Sequence, residues 1–146
     1  MFERCLYFNL NALTRAVNQR WEDAYGTVGL SPAHAYLIRL VLIHPGVTQK
    51  QIAAELRLAA STITRFVDAL VARGLLQRRD SAGDAREWTI HPTDAARALH
   101  SELERIGSDL FHELRTTLSA AERTELVDDL RKVDATLQRV KQQKGG

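Results

Sequence analysis

Apolar residues recur along this chain at two different periods, and the switches between them mark out its elements. Phe2, Leu6, Leu10, Leu13 and Val17 fall three or four apart, with Trp21 one turn further on, which predicts an amphipathic helix from Phe2 to about Ala24. Asn9, Asn11, Arg15, Asn18, Gln19 and Arg20 form its wet face, and Gly26 and Gly29 end it. Ser31-Pro32 is a cap followed by a first-turn proline, and the run YLIRLVLI behind it is apolar on almost every side, as in a central buried helix. His44-Pro45-Gly46 stops that helix. Thr48 and Gln51 then have the spacing of a capping box, with Ile52, Ala53 and Leu56 as the inner face of a short helix.

Arg57-Leu58-Ala59-Ala60 reads as a turn. Ala59 stands where a capping Asp or Ser is expected, so the next helix either starts on Ser61 or begins without a side-chain cap. In that helix Ile63, Phe66, Val67, Leu70 and Val71 form an apolar stripe, while Ser61, Thr62, Thr64, Arg65 and Asp68 lie off it. Gly74 is placed as a left-handed C-terminal cap. Beyond it the period changes. Leu75 and Leu76 open a strand, residues 80–84 form a turn, and residues 86–90 return as the second strand of a hairpin. Pro92-Thr93 are expected to begin a long helix with Leu99, Leu103, Ile106, Leu110, Leu114 and Leu118 along one side. Ser119 and Glu122 form a second capping box, and behind it Leu126, Leu130, Val133, Leu137 and Val140 alternate by four and three as in a heptad seam.

The order between Val47 and His91 (short capped helix, turn, longer helix, glycine, basic hairpin) is that of a winged helix-turn-helix. A B-DNA major groove is about 12 Å wide and admits one helix. Short polar residues near the N-terminus of that helix, with a long donor beside them, suit base contacts, and Ser61, Thr62, Thr64 and Arg65 fit that description. Thr48, Gln49 and Lys50 sit at a helix start, where free backbone N–H groups favour phosphate. Arg78 and Arg79 lie on the hairpin. At its tip are Ser81, Asp84 and Arg86, with Asp84 placed to hold Arg86 extended toward a narrow minor groove.

Charge supports this reading through its distribution. The 146 residues carry a net charge of only +2, with 45% hydrophobic and 26% charged residues, which is ordinary for one globular domain. Yet Arg57, Arg65, Arg73, Arg78, Arg79 and Arg86 cluster in the central module, while the two helices that follow are rich in Asp and Glu. That makes a basic reading head on an acidic body. The sequence offers no catalytic constellation, no phosphate loop and no metal-ligand spacing among its five histidines. No enzyme activity, cofactor or metal is therefore expected. With no secretory signal or membrane span in view and a single cysteine, Cys5, the expected location is the cytoplasm.

The segments GLSPAHAYLIRLV and TQKQIAAELRLAASTITRFVDALVARGLLQRR, with DSAGDAR and its Asp-x-Arg, resemble the multiple-antibiotic-resistance regulator (MarR) family of bacterial transcription factors, and the likeness runs over nearly the whole chain. Ala35 and Ala96 depart from the family pattern, which commonly has an aromatic residue and a glycine there. The resemblance implies a mainly α fold with a small β-hairpin wing. It implies a reading head over about residues 30–92 and dimerisation helices over about 1–26 and 93–142, within a single domain. It implies a homodimer on double-stranded DNA, with Ser61, Thr62, Thr64 and Arg65 on the recognition helix and Asp84 and Arg86 on the wing. The function expected is that of a repressor on a pseudo-palindromic operator, released by a small-molecule effector. Two alternatives stay open: a redox-sensing repressor acting through Cys5, whose position is similar to that of the reactive cysteine in the hydroperoxide-sensing branch of the family, and a winged-helix protein-interaction module without DNA binding.

Overall fold

In the computed structural model, residues 1–81 and 84–144 are described, without the side chains of 81, 84–87 and 144. The elements run α1 (Leu6–Gly26), α2 (Pro32–Ile43), β1 (Val47–Thr48), α3 (Gln49–Leu56), α4 (Ala60–Ala72), β2 (Leu76–Ser81), β3 (Asp84–Pro92), α5 (Asp94–Arg115) and α6 (Ala120–Lys144). The chain divides into two compact units, residues 1–106 and 107–146.

Helix α1 starts four residues later than its apolar period predicts, at Leu6. No Ser, Thr, Asp or Asn precedes it to cap an earlier start, and Cys5 at the cap position makes no side-chain bond. The stub before it is held by Asn9, whose amide donates to the carbonyls of Glu3 (3.0 Å) and Cys5 (2.9 Å). At the other end Gly29, at φ +68°, lets Leu30 N–H turn back to the Tyr25 carbonyl, and the Ser31 hydroxyl then caps α2 by accepting from His34 N–H. Helix α2 is the centre of the first unit, as expected: Ala35, Leu37, Ile38 and Val41 are wholly buried.

The sheet has a strand that the sequence pattern does not announce. β1 pairs antiparallel with β3 (Val47 opposite Ile90, Thr48 opposite Thr89), and the order is β1-β3-β2. A two-residue strand is too short to show a period, and Thr48 serves twice, as the last strand residue and as the cap of α3. The capping box is complete: the Thr48 hydroxyl accepts from Gln51 N–H (3.3 Å), and Gln51 Oε1 accepts from Thr48 N–H (2.9 Å). Thr48→Ala is expected to cost about 1 kcal/mol of folding stability, read as a lower urea midpoint at unchanged slope. An unmoved midpoint would mean that α3 is held by its packing alone.

Arg57 makes the turn after α3 in the left-handed region, at φ 53°, and Leu58 N–H returns to the Ala53 carbonyl (3.0 Å). Helix α4 begins at Ala60 with no side-chain cap, the second of the two outcomes that Ala59 leaves. It buries Ile63, Val67 and Leu70 completely, and Phe66 only in part. Gly74 closes it at φ +70°, where Leu75 N–H reaches the Leu70 carbonyl.

Pro92 does not begin α5. It ends β3, opposite Leu76, where a residue without N–H is tolerated. Thr93 caps α5 instead. Its hydroxyl bonds the Gly74 carbonyl (2.7 Å), and it accepts from Ala96 N–H (3.3 Å), which fastens α5 to the end of α4. Ala35 and Ala96, the two departures from the family pattern, are both wholly buried.

In the second unit the Ser119–Glu122 capping box opens α6 as expected, with bonds of 2.8 and 3.3 Å. The Arg115 and Arg123 guanidinium groups both lie over the Phe111 ring. The predicted seam on α6 faces outward in the single chain: Leu126, Leu130, Leu137 (63% exposed) and Val140 are all exposed. On α1, Leu6 (57%), Tyr7, Phe8 and Leu13 are exposed as well.

Candidate nucleic-acid interface

Ser61, Thr64, Arg65 and Asp68 are spaced i, i+3, i+4 and i+7 on α4 and are all exposed, opposite the buried Ile63, Val67 and Leu70. Thr62 lies a quarter turn away and is half-buried. Arg65 makes no ion pair among the described residues, so its guanidinium and the hydroxyls of Ser61 and Thr64 form a polar face one helix wide. No side chain caps α4, and the Thr62 and Ile63 N–H groups both return to the Ala59 carbonyl (3.0 and 3.1 Å).

Two hydrogen bonds fix how this face is held. The Thr64 hydroxyl donates to Gln49 Oε1 (3.0 Å), joining the start of α3 to the second turn of α4. Arg78 on β2 pairs with Asp68 on α4, so the base of the wing is tied to the same helix. Arg78 is therefore already engaged, while Arg79 and Lys50 are exposed. The Arg79 carbonyl accepts from Thr89 Oγ (3.0 Å), which in turn lies 3.1 Å from His91 Nε2. β2 and β3 stay paired to Ser81 and Asp84, with an irregularity after Asp80, so the strands run further toward the tip than the turn expected over residues 80–84. Ala82 and Gly83 and the side chains of Ser81, Asp84 and Arg86 lie outside the described residues, and with them the expected Asp84–Arg86 contact.

Behind this face, α2 braces α4. His34 packs edge-on against Phe66, with ring centroids 4.8 Å apart. Its Nε2 is buried with no hydrogen-bond partner among the described residues, and burial, followed by the charge of Arg73, pushes its pKa below the ordinary histidine value.

A cluster that sequence reasoning missed joins α1, α2 and α5. Trp21 Nε1 donates to the Tyr36 hydroxyl (3.2 Å), and Tyr36 meets the buried Tyr25 ring edge-on at 6.0 Å. Arg39 lies over Tyr36 and makes two bonds to the Glu104 carboxylate (2.8 and 3.1 Å). The Tyr25 hydroxyl is buried, and burial raises its pKa against the opposing pull of the nearby Arg39 guanidinium. The local signal was the i, i+4 spacing of Trp21 and Tyr25 and the i, i+3 spacing of Tyr36 and Arg39, but only the fold brings Glu104 to them.

The Arg39 hydrogen bond holds the Glu104 carboxyl below the ordinary glutamate pKa. A carboxylate depressed in this way stabilises the fold above the unfolded-state pKa of ~4.3, and that stabilisation is lost as pH falls through the lower folded value. In acid titrations of stability, Glu104→Gln is expected to flatten the slope below about pH 4.5. A slope identical to that of the unsubstituted protein would show the pair to be solvent-screened, which its 46% exposed glutamate side chain makes the competing outcome.

Cys5 is half-buried at the cap of α1. Tyr25 and Tyr36 pack against each other, and Tyr7 is exposed. Within one chain, Tyr25 and Tyr36 are thus committed to the Trp21–Arg39 cluster.

A three-helix core with the α3-turn-α4 pair, a three-stranded antiparallel sheet and an exposed polar helix face defines a winged helix-turn-helix protein. Over residues 28–87 the chain matches the MarR family model. It is 25% identical over 107 residues to a Thauera aromatica protein named for transcriptional regulation of the hcr operon, an alignment spanning 73% of this chain and 64% of that protein. Among solved structures it resembles the MepR–DNA complex of S. aureus (TM-score 0.84, 19% identity, 92% of this chain and 99% of that one). It also resembles PcaV of Streptomyces coelicolor in complex with its natural ligand (TM-score 0.82, 23% identity, 92% and 95%). A third likeness is to BpsR of Bordetella bronchiseptica, whose DNA binding is regulated by 6-hydroxynicotinic acid (TM-score 0.82, 19% identity, 92% and 96%). At these identities the structural likenesses establish the fold.

Proposed function

We propose that this chain is a sequence-specific transcription regulator that binds double-stranded DNA as a homodimer and represses from a pseudo-palindromic operator until a small molecule releases it. The observation that carries the reading is the exposed face of Ser61, Thr64 and Arg65, with no ion pair to Arg65 among the described residues and a fully buried stripe bracing it from behind. Thr62, Gln49, Lys50 and Arg79 extend it, with Thr48 shaping the start of α3, Arg78 positioned by Asp68, and Ser81, Asp84 and Arg86 at the wing tip. Residues 30–92 are the reading head, and residues 1–26 and 93–142 supply the dimerisation helices. Support for the dimer is the exposed apolar seam on α6 and the exposed apolar side chains of α1, surfaces that a monomer leaves in water. Release by a ligand draws support from the ligand-regulated neighbours.

Selection of bound sequences from a random duplex pool tests this. A two-fold dimer enriches an inverted repeat whose half-sites lie about 10 bp apart or a multiple of that. Enrichment of a single unrepeated site contradicts the symmetric dimer, and enrichment of nothing contradicts the DNA-binding reading as a whole.

A further inference from the structure

We propose that Asp68 is a further base-reading residue of α4 and selects cytosine at one position of each half-site, with Arg78 of β2 offsetting the charge that a carboxylate carries into the groove. The proposal rests on the DNA-binding reading above and concerns how that site chooses its bases.

A helix lying along a major groove meets base edges with residues spaced i, i+3, i+4 and i+7. Ser61, Thr64, Arg65 and Asp68 have that spacing and are all exposed. At about 100° per residue they fall within an arc of roughly 100°, and Asp68 lies between Ser61 and Thr64, about 20° from Ser61. It therefore sits within the exposed face and not at its margin. Asp68 also stands about 4.5 Å beyond Arg65 along the helix axis, more than the roughly 3.4 Å between successive base pairs. It addresses the base pair next to the one that meets Arg65.

A lone carboxylate on a surface that meets DNA is repelled by the phosphates. Here Arg78 Nη2 donates to Asp68 Oδ1, so the carboxylate enters as half of a neutral pair. The pairing does not use the group up. The Asp68 side chain is 57% exposed, and its Oδ2 makes no hydrogen bond among the described residues. A carboxylate offers acceptors only, whichever of its oxygens is engaged. In the major groove cytosine presents the N4 donor, guanine presents two acceptors, thymine an acceptor and a methyl group, and adenine a donor beside the N7 acceptor. Cytosine is the base whose edge gives an acceptor-only group a donor with no acceptor facing it. Arg78 acts through Asp68 and is a positioning residue for it.

The test sequences DNA bound from a random duplex pool, then measures affinity for the enriched operator and for an unrelated duplex. The full-length protein is used throughout, with circular dichroism and thermal unfolding confirming that each variant is folded. Asp68→Ala is expected to lower a cytosine preference by roughly fivefold or more at one position per half-site, beside the position altered by Arg65→Ala, without loss of affinity for unrelated duplex. Arg78→Ala breaks the same pair but leaves the carboxylate in place. It is expected to weaken binding to all duplexes by similar factors with the cytosine preference kept, and Arg78→Lys, which keeps the charge, restores the affinity. A pair that merely tethers the wing to α4 gives Asp68→Ala and Arg78→Ala the same profile. An operator in which that cytosine is replaced by 2-pyrimidinone, which lacks the amino group, is expected to lose affinity for the unsubstituted protein but not for Asp68→Ala. The proposal is overturned if the two alanine variants change the profile alike, if Asp68→Ala changes no position, or if the missing amino group weakens both proteins equally. It is also overturned if the position governed by Asp68 prefers a pair other than C·G in the unsubstituted protein. If the unsubstituted protein enriches no sequence, the DNA-binding reading itself fails, a result distinct from a defined operator that is indifferent to Asp68.

Discussion

Ile63→Ala is expected to lower folding stability by about 2–5 kcal/mol, the largest single effect foreseen for this chain. Ile63 is wholly buried on α4, on the inner stripe with Val67 and Leu70. Truncation removes three carbons from a packed site, and the loss combines their transfer free energy with that of the cavity left behind. A domain of this size has a total stability of only about 5–15 kcal/mol, so the variant should fold but with a markedly lower denaturant midpoint. DNA affinity should fall too, because Ile63 lies between Ser61 and Arg65 and seats the turn that carries them. A midpoint shift below about 0.5 kcal/mol would contradict the burial of this face, since shifts that small belong to exposed positions.

Arg65→Ala should do the opposite. Arg65 is exposed and makes no ion pair among the described residues, so stability is expected to change by less than about 0.5 kcal/mol. Operator affinity is expected to fall by roughly 1–3 kcal/mol, with relaxed preference at one base pair per half-site, because an arginine reading guanine gives up a bidentate contact. Affinity for unrelated duplex should change much less than affinity for the operator. If both fell equally, Arg65 would be a phosphate contact rather than a base reader. The two variants together separate the two faces of one helix. Ile63 holds it in place, and Arg65 uses it.

Much of this arrangement was legible in the chain because its determinants are local. The two capping boxes, Thr48/Gln51 and Ser119/Glu122, the glycine after α4 and the apolar stripe of Ile63, Val67 and Leu70 each depend on residues within a few positions of one another. What was not legible depends on contacts across elements. β1 exists only because Val47 and Thr48 find Ile90 and Thr89, and two residues carry no period of their own. The assignment of Pro92 to α5 failed for the same reason: its pairing with Leu76 decides where the strand ends. Asp68 read as one more polar residue on a wet face, but in the fold it engages Arg78, ten residues on. The Arg39–Glu104 pair spans sixty-five residues and left no trace in local spacing. Within the candidate site, sequence supplied the exposed residues of α4, and the fold supplied the bonds that orient them.

The central claim is that this is a DNA-binding protein whose affinity arises in large part from phosphate contacts. The most direct test is the dissociation constant for a fluorescent operator duplex, measured by anisotropy across a salt series from 50 to 200 mM. A reading head that neutralises several phosphates per dimer predicts a linear fall of log K with log salt, with affinity dropping on the order of a thousandfold or more if six to ten phosphates are contacted. An affinity that stays flat across the series, or no binding at 50 mM, would contradict the account and favour a winged helix that docks on protein instead.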